Sequence, residues 1–304
     1  MFRHTDYLQF QAKPEKPDAL FAAKLQELVG GQFGEMTVMM QYLWQGWNCR
    51  MPGKYKDMIM DIGTEEIGHV EMLVTMMARL LEGAPGETTE KAVAANPVLA
   101  AVIGGMNPQH AIVSGGGAVP RDSQGVPWNA GYIVASGSLL TDFRSNVAAE
   151  AQSRLMTSRV YNMTDDPGVK AMLQFNLARD TYHQQQWLLG IQQLIDDGLV
   201  DEHGLENSNG DDENPDQNHT FWTFDDASQA PEGRWARGPS FVGPDIEVVA
   251  AQPLTDDKPL GPPPDPKLYA TYDGAMGTPK TGDAVGAHAQ GAQNLAKKIK
   301  GAFE

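Results

Sequence analysis

Residues 62–72 read IGTEEIGHVEM, and the stretch around them, YKDMIMDIGTEEIGHVEMLVTMMARLL (55–81), decides the fold. Ile59, Ile62, Ile67, Val70, Leu73 and Val74 recur at spacings of three and four, the period of one helix face. Glu66 and His69 sit on or beside that stripe, about 60° apart around an axis of ~3.6 residues per turn. A carboxylate and an imidazole turned towards a core need a partner, because burying an unpaired charge is costly. A metal ion is one such partner. An ordinary salt bridge is another, with Glu65 four residues before His69 and Glu66 left in solvent, so the rest of the chain must discriminate.

Bulk properties narrow the field. The chain has 304 residues and a formal net charge of −16, which argues against nucleic acid and anionic membrane surfaces as partners. One cysteine, Cys49, leaves no disulfide framework within the chain. The opening residues, MFRHTDYLQF, lack the apolar run of a signal peptide, and no stretch has the ~18 apolar residues of a membrane span. A cytoplasmic protein with a small-molecule or metal task is the expectation. Most of the 15 methionines lie at helical core spacing and are read as packing.

Four long periodic segments stand out. The first runs from about Pro17 to Trp47 and the second from Lys54 to Leu81, closed by Gly83 and Pro85. The third covers about Gly137 to Asn162. The fourth follows TDDPG, with Asp165 or Asp166 as N-cap and Pro167 in the first turn, and ends near Gly198. Residues 83–136 between the second and third are glycine- and proline-rich. Two helical hairpins joined by one long crossover predict an all-α, ferritin-like four-helix bundle over residues 1–198. Eleven of the 20 prolines fall after residue 198, so 199–304 reads as an extended, mostly irregular C-terminal tail.

Each segment offers polar groups from an apolar face. The first carries Glu35 in GEMTVMMQYL, after Gly30, Gly31 and Gly34; the second carries Glu66 and His69. The third carries Glu150 in VAAEAQSR, and the fourth His183 with Asp180 three residues earlier. A carboxylate from each of two helices, plus an E-x-x-H-like pair from each of the others, is the di-metal pattern of helical bundles. Three residues rise ~4.5 Å and keep both side chains on one face, so both reach one ion. Mixed oxygen and imidazole donors suit manganese or iron, and without paired cysteines thiolate sites drop out. His4, His110, His203, His219 and His288 lie outside the helices and read as surface residues. Asp180, one methylene shorter than Glu, is expected beside the metal ligands or among them.

The runs KYKDMIMDIGTEEIGHVEML and GEMTVMMQYLWQGW, with the Glu150 and His183 segments, resemble the non-haem manganese catalases over residues 1 to about 200. The proline-rich tail is similar to that family's C-terminal extension. The resemblance implies that Glu35, Glu66, His69, Glu150 and His183 hold two manganese ions, with Tyr42 as a neighbouring tyrosine. Two positions depart from the family's pattern. Ala149 stands where some members carry arginine, and Asp180 stands where glutamate is common.

Such a pair of ions could disproportionate hydrogen peroxide by two-electron cycling, with Glu35 or Asp180 moving protons. Trp44, Trp47 and Trp187 are expected to restrict entry to small molecules. A di-iron oxidase or oxygenase and a non-catalytic coat-type protein remain as alternative readings of the same scaffold. Asp57 and Asp61 share a helix face, where like charges repel unless a cation intervenes. The resemblance implies calcium there, with Asp226 and Ser228 of TFDDAS as partners by position, and a homohexamer in which tails embrace neighbouring subunits.

Overall fold

A computed structural model of the chain describes residues 5–83, 106–205, 213–223 and 231–250. The chain divides into two compact units, Met1–Asn218 and His219–Glu304.

The first unit is built from α1 (Ala19–Gly30), α2 (Glu35–Asn48), α3 (Gly53–Leu80), a short α4 (Pro108–Ile112), α5 (Leu139–Tyr161) and α6 (Pro167–Asp196). Helix α2 packs chiefly against α3, and α5 against α6, giving the two expected hairpins. Local chemistry sets the starts. Asp18 accepts from the Phe21 N–H at α1, Ser138 from Thr141 at α5, and Asp166 from Gly168 and Val169 at α6. Each such cap contributes about 1 kcal/mol. Pro167 occupies the first turn of α6, where its missing N–H costs nothing.

The first periodic segment is not one helix. It breaks at residues 31–34, with Gly31 extended (φ −67°, ψ 164°), and restarts at Glu35. Glycine weakens a helix interior. A Cβ at Gly30 would also collide with the backbone of Arg121, which crosses the chain there. The break places Glu35 at the first residue of a new helix.

The crossover between α3 and α5 is described from residue 106 onwards, and it is pinned to α1 and α2. Gln26 donates to the carbonyls of Val119 and Arg121, Trp128 donates to Thr37 Oγ1, and the Val134 N–H reaches Gln41 Oε1. Irregular backbone running over a core needs such partners for its polar groups. His110 was expected at the surface; instead it is fully buried, with Nε2 2.9 Å from Gln26 Oε1.

Among the described residues two apolar clusters form the core. One contains Phe21, Leu25, Leu28, Leu73, Met76, Leu80, Val169, Met172 and Leu173. The other contains Val38, Tyr42, Ile59, Ile62, Phe143, Trp187 and Leu194. Between them every long helix becomes polar. On α3 the buried stripe reads Ile59, Ile62, Glu66, His69, Leu73, Met76. On α5 it reads Phe143, Asn146, Glu150, Ser153, Thr157, Val160, and on α6 Leu173, Asn176, Asp180, His183, Trp187. The spacing of three and four never changes, so these polar groups point where the apolar ones do. Ile67, counted with the stripe in the sequence, faces outward instead.

In the second unit, β1 (Thr220–Thr223) and β2 (Glu247–Ala250) pair in parallel, Thr220 opposite Glu247. Among the described residues this is the regular structure of the tail.

Candidate metal centre

Glu66 sits at the middle of the polar layer. Its Oε2 lies 2.7 Å from Nδ1 of His69, and its Oε1 lies 2.7 Å from Nδ1 of His183. The two imidazoles are roughly parallel, 5.4 Å between centroids. Glu35 approaches from the N-terminus of α2, with Oε2 3.4 Å from Nδ1 of His69. Glu150 approaches from α5, with Oε1 3.8 Å from Nδ1 of His183 and held by the Tyr42 hydroxyl at 2.6 Å. Asp180 lies beside Glu35. Asn176 donates to both, at 2.9 Å to Glu35 and 3.1 Å to Asp180, and Ser153 stands 3.5 and 3.4 Å from the same two groups.

Four carboxylates and two imidazoles thus share one water-excluded layer, and each is at least 99% buried. Their proton affinities show the strain of that arrangement. Burial raises the Glu35, Glu150 and Asp180 carboxyls above the usual range, and neighbouring carboxylates push them further. For Glu66 burial acts in the same sense, but the charges of and contacts with His69 and His183 outweigh it and hold the carboxyl low. Burial alone would lower both histidines. The surrounding carboxylates instead carry His69 well above its ordinary value and His183 up to about 10. Tyr42 is raised by burial and by Glu150, so it stays protonated and donates.

The layer has the donors to hold metal cations. Both oxygens of Glu66 and all four ring nitrogens of His69 and His183 are buried without an aligned hydrogen bond. Buried polar atoms in folded proteins rarely lack partners, and each exception needs an explanation. Donor atoms of Glu66, His69 and His183 lie within 4.8 Å of one another, and so do those of Glu35, His69 and Asp180. The four carboxylates cannot all ionise in a dry layer without positive charge among them. Oxygen and imidazole donors of this kind suit manganese or iron.

All five sequence-derived ligands, together with Tyr42 and Asp180, therefore converge. Asp57 and Asp61 lie exposed on α3, while Asp226 and Ser228 fall outside the described residues. Trp187 is fully buried and packs 4.8 Å from the Tyr42 ring. Trp44 and Trp47 pack edge-on against each other, with 44% and 48% of their surface exposed. Reading the sequence also missed Asn176 and Ser153, although both occupy stripe positions where a polar side chain is out of place. Glu65 is not the surface partner of His69 alone. It stands near Nε2 of both histidines and is gripped by Arg179.

Comparison with known proteins points to manganese. The model of the family "manganese containing catalase" matches residues 1–273. A manganese catalase of Bacillus subtilis is 50% identical over 275 residues, covering 90% of this chain and 99% of the relative. One from Lactiplantibacillus plantarum is 47% identical over 194 residues, covering 64% of this chain and 72% of the relative. The crystal structure of an Anabaena manganese catalase superposes with a TM-score of 0.64 at 25% identity, covering 83% of this chain and all of that one. Fold, polar layer and family match coincide, and the chain belongs to the manganese-containing catalase family.

Proposed function

We propose that the chain disproportionates hydrogen peroxide to water and dioxygen at two manganese ions per subunit, held by Glu35, Glu66, His69, Glu150 and His183. The observation that carries this reading is the Glu66 carboxylate, with one oxygen 2.7 Å from Nδ1 of each histidine, at the centre of the buried carboxylate layer. When bound, a manganese pair supplies a couple that one peroxide oxidises and the next reduces. The protein supplies donors, dryness and proton transfer. Tyr42 orients Glu150 through its hydroxyl. Glu35 and Asp180, sharing the Asn176 amide and raised by burial, hold and release protons at their carboxyl oxygens. The short side chain of Asp180 is served by Ser153 from α5 and by Asn176 one turn earlier on α6. Ala149, which packs against the second apolar cluster, adds no charge to the layer. Metal analysis of the purified protein, paired with an oxygen electrode trace on peroxide, tests the reading.

The role extends to peroxide defence in the cytoplasm and to a homohexamer embraced by its tails. A calcium ion at Asp57 and Asp61, completed by Asp226 and Ser228, belongs to the same reading. Support for the hexamer and the calcium site comes from the resemblance and, for calcium, from the exposed aspartates one turn apart on α3.

A further inference from the structure

Glu65 precedes the central ligand Glu66 by one residue, so it leaves α3 on a different face. Its side chain turns to the far edges of the two imidazoles. Oε2 lies 3.2 Å from Nε2 of His183, and Oε1 lies 3.7 Å from Nε2 of His69. These are contacts of ion-pair length rather than aligned hydrogen bonds, and neither ring nitrogen has another partner. The carboxylate is itself fixed. Arg179 on α6 binds it with Nε at 2.6 Å from Oε1 and Nη2 at 3.0 Å from Oε2, and Gln9 adds a bond of 2.8 Å to Oε1. Arg179 also lies over the Tyr182 ring, 4.8 Å from its centroid. A two-pronged guanidinium–carboxylate pair holds orientation as well as position.

Neutral imidazole carries its proton on one nitrogen and a lone pair on the other, and the group facing the first nitrogen selects the tautomer. We propose that Glu65, clamped by Arg179, is a positioning residue shared by His69 and His183: its charge faces Nε2 of both rings, favours the proton on that nitrogen, and so keeps both Nδ1 lone pairs turned towards the metal pair. Rotation of either ring would cost its contact with Glu65. One carboxylate thereby serves donors on two helices, and it links the two metal positions from outside the layer that holds them. Loss of Glu65 therefore weakens both positions together, unlike loss of Glu35 or Glu150. The inference rests on the dimanganese reading above.

Full-length protein loaded with manganese is the material for the test, with retained manganese measured during challenge by a chelator. Removal of a partner that orients metal-bound histidine lowers metal affinity by about 10–100-fold. Glu65→Ala should show a loss of this size, with both ions leaving in a single phase. Arg179→Gln, which keeps the carboxylate and removes its clamp, should show a smaller loss, and Arg179→Lys should recover part of it. If Glu65→Ala misfolds, the two Arg179 variants carry the test alone. Release at the wild-type rate in Arg179→Gln, or equal losses in the Gln and Lys variants, would overturn the proposal. So would loss of one ion from Glu65→Ala while the other stays at the wild-type rate. A wild-type protein that takes up no manganese would instead overturn the functional reading, so the two failures are distinguishable.

Discussion

The Tyr42 hydroxyl donates a 2.6 Å hydrogen bond to Oε1 of Glu150, joining α2 to α5 inside the dry layer. Burial and the Glu150 charge keep the phenol protonated, so the donor is always present near neutral pH. A hydrogen bond to a charged group contributes about 1.5–3 kcal/mol. Tyr42→Phe is expected to keep its helix content and lose about 10–100-fold in turnover, as Glu150 loosens. Steady-state oxygen evolution beside a circular dichroism melt checks this; unchanged turnover would remove Tyr42 from the working site.

His69 and His183 face the centre through Nδ1, at the same distance from Glu66. His69→Ala and His183→Ala should each lose manganese and activity while the bundle stays helical. Metal content by mass spectrometry decides, and a variant with full manganese would show that its histidine is no ligand.

Proton release gives a third test, with a fixed sign. Glu35, Glu150 and Asp180 are raised above the usual carboxylate range and His183 reaches about 10, so without cations these groups hold protons where ordinary carboxyls and histidines have lost them. Metal and proton compete for the same atoms. Manganese binding to stripped protein should therefore acidify an unbuffered solution near pH 7, and retention should fall as pH falls. Titration in a pH-stat measures both, and uptake without proton release would contradict the assigned ligands.

The tail makes a fourth. Residues after 218 form their own unit, which among the described residues holds a two-stranded parallel pair. Two four-residue strands cannot bury a core of their own. Truncation after Asn218 is expected to lower both the oligomeric state and the melting temperature. Light scattering that finds the same assembly with and without the tail would contradict the embracing role.

Much of this was legible in the sequence because one rule covers packing and chemistry. A spacing of three and four puts Ile62 and His69 on the same face, whether the residue is apolar or a ligand. The helix start at Asp166 and Pro167 could be read for an equally local reason. What escaped depends on remote partners. The apolar period does not announce the break before Glu35, and only the fold shows that Arg121 crosses so close to Gly30 that no Cβ fits there. His110 lies in an irregular segment, and its burial depends on Gln26, 84 positions away. Glu65 pairs with Arg179 across 114 positions, so within α3 it resembles any solvated glutamate.

The most direct measurement follows dioxygen from peroxide with manganese-loaded, metal-stripped and reconstituted protein, free of haem absorption. The account predicts one dioxygen for every two peroxides consumed, loss of activity on stripping, and recovery with manganese but not with iron. Activity that survives in metal-free protein, or that returns only with iron, would contradict it.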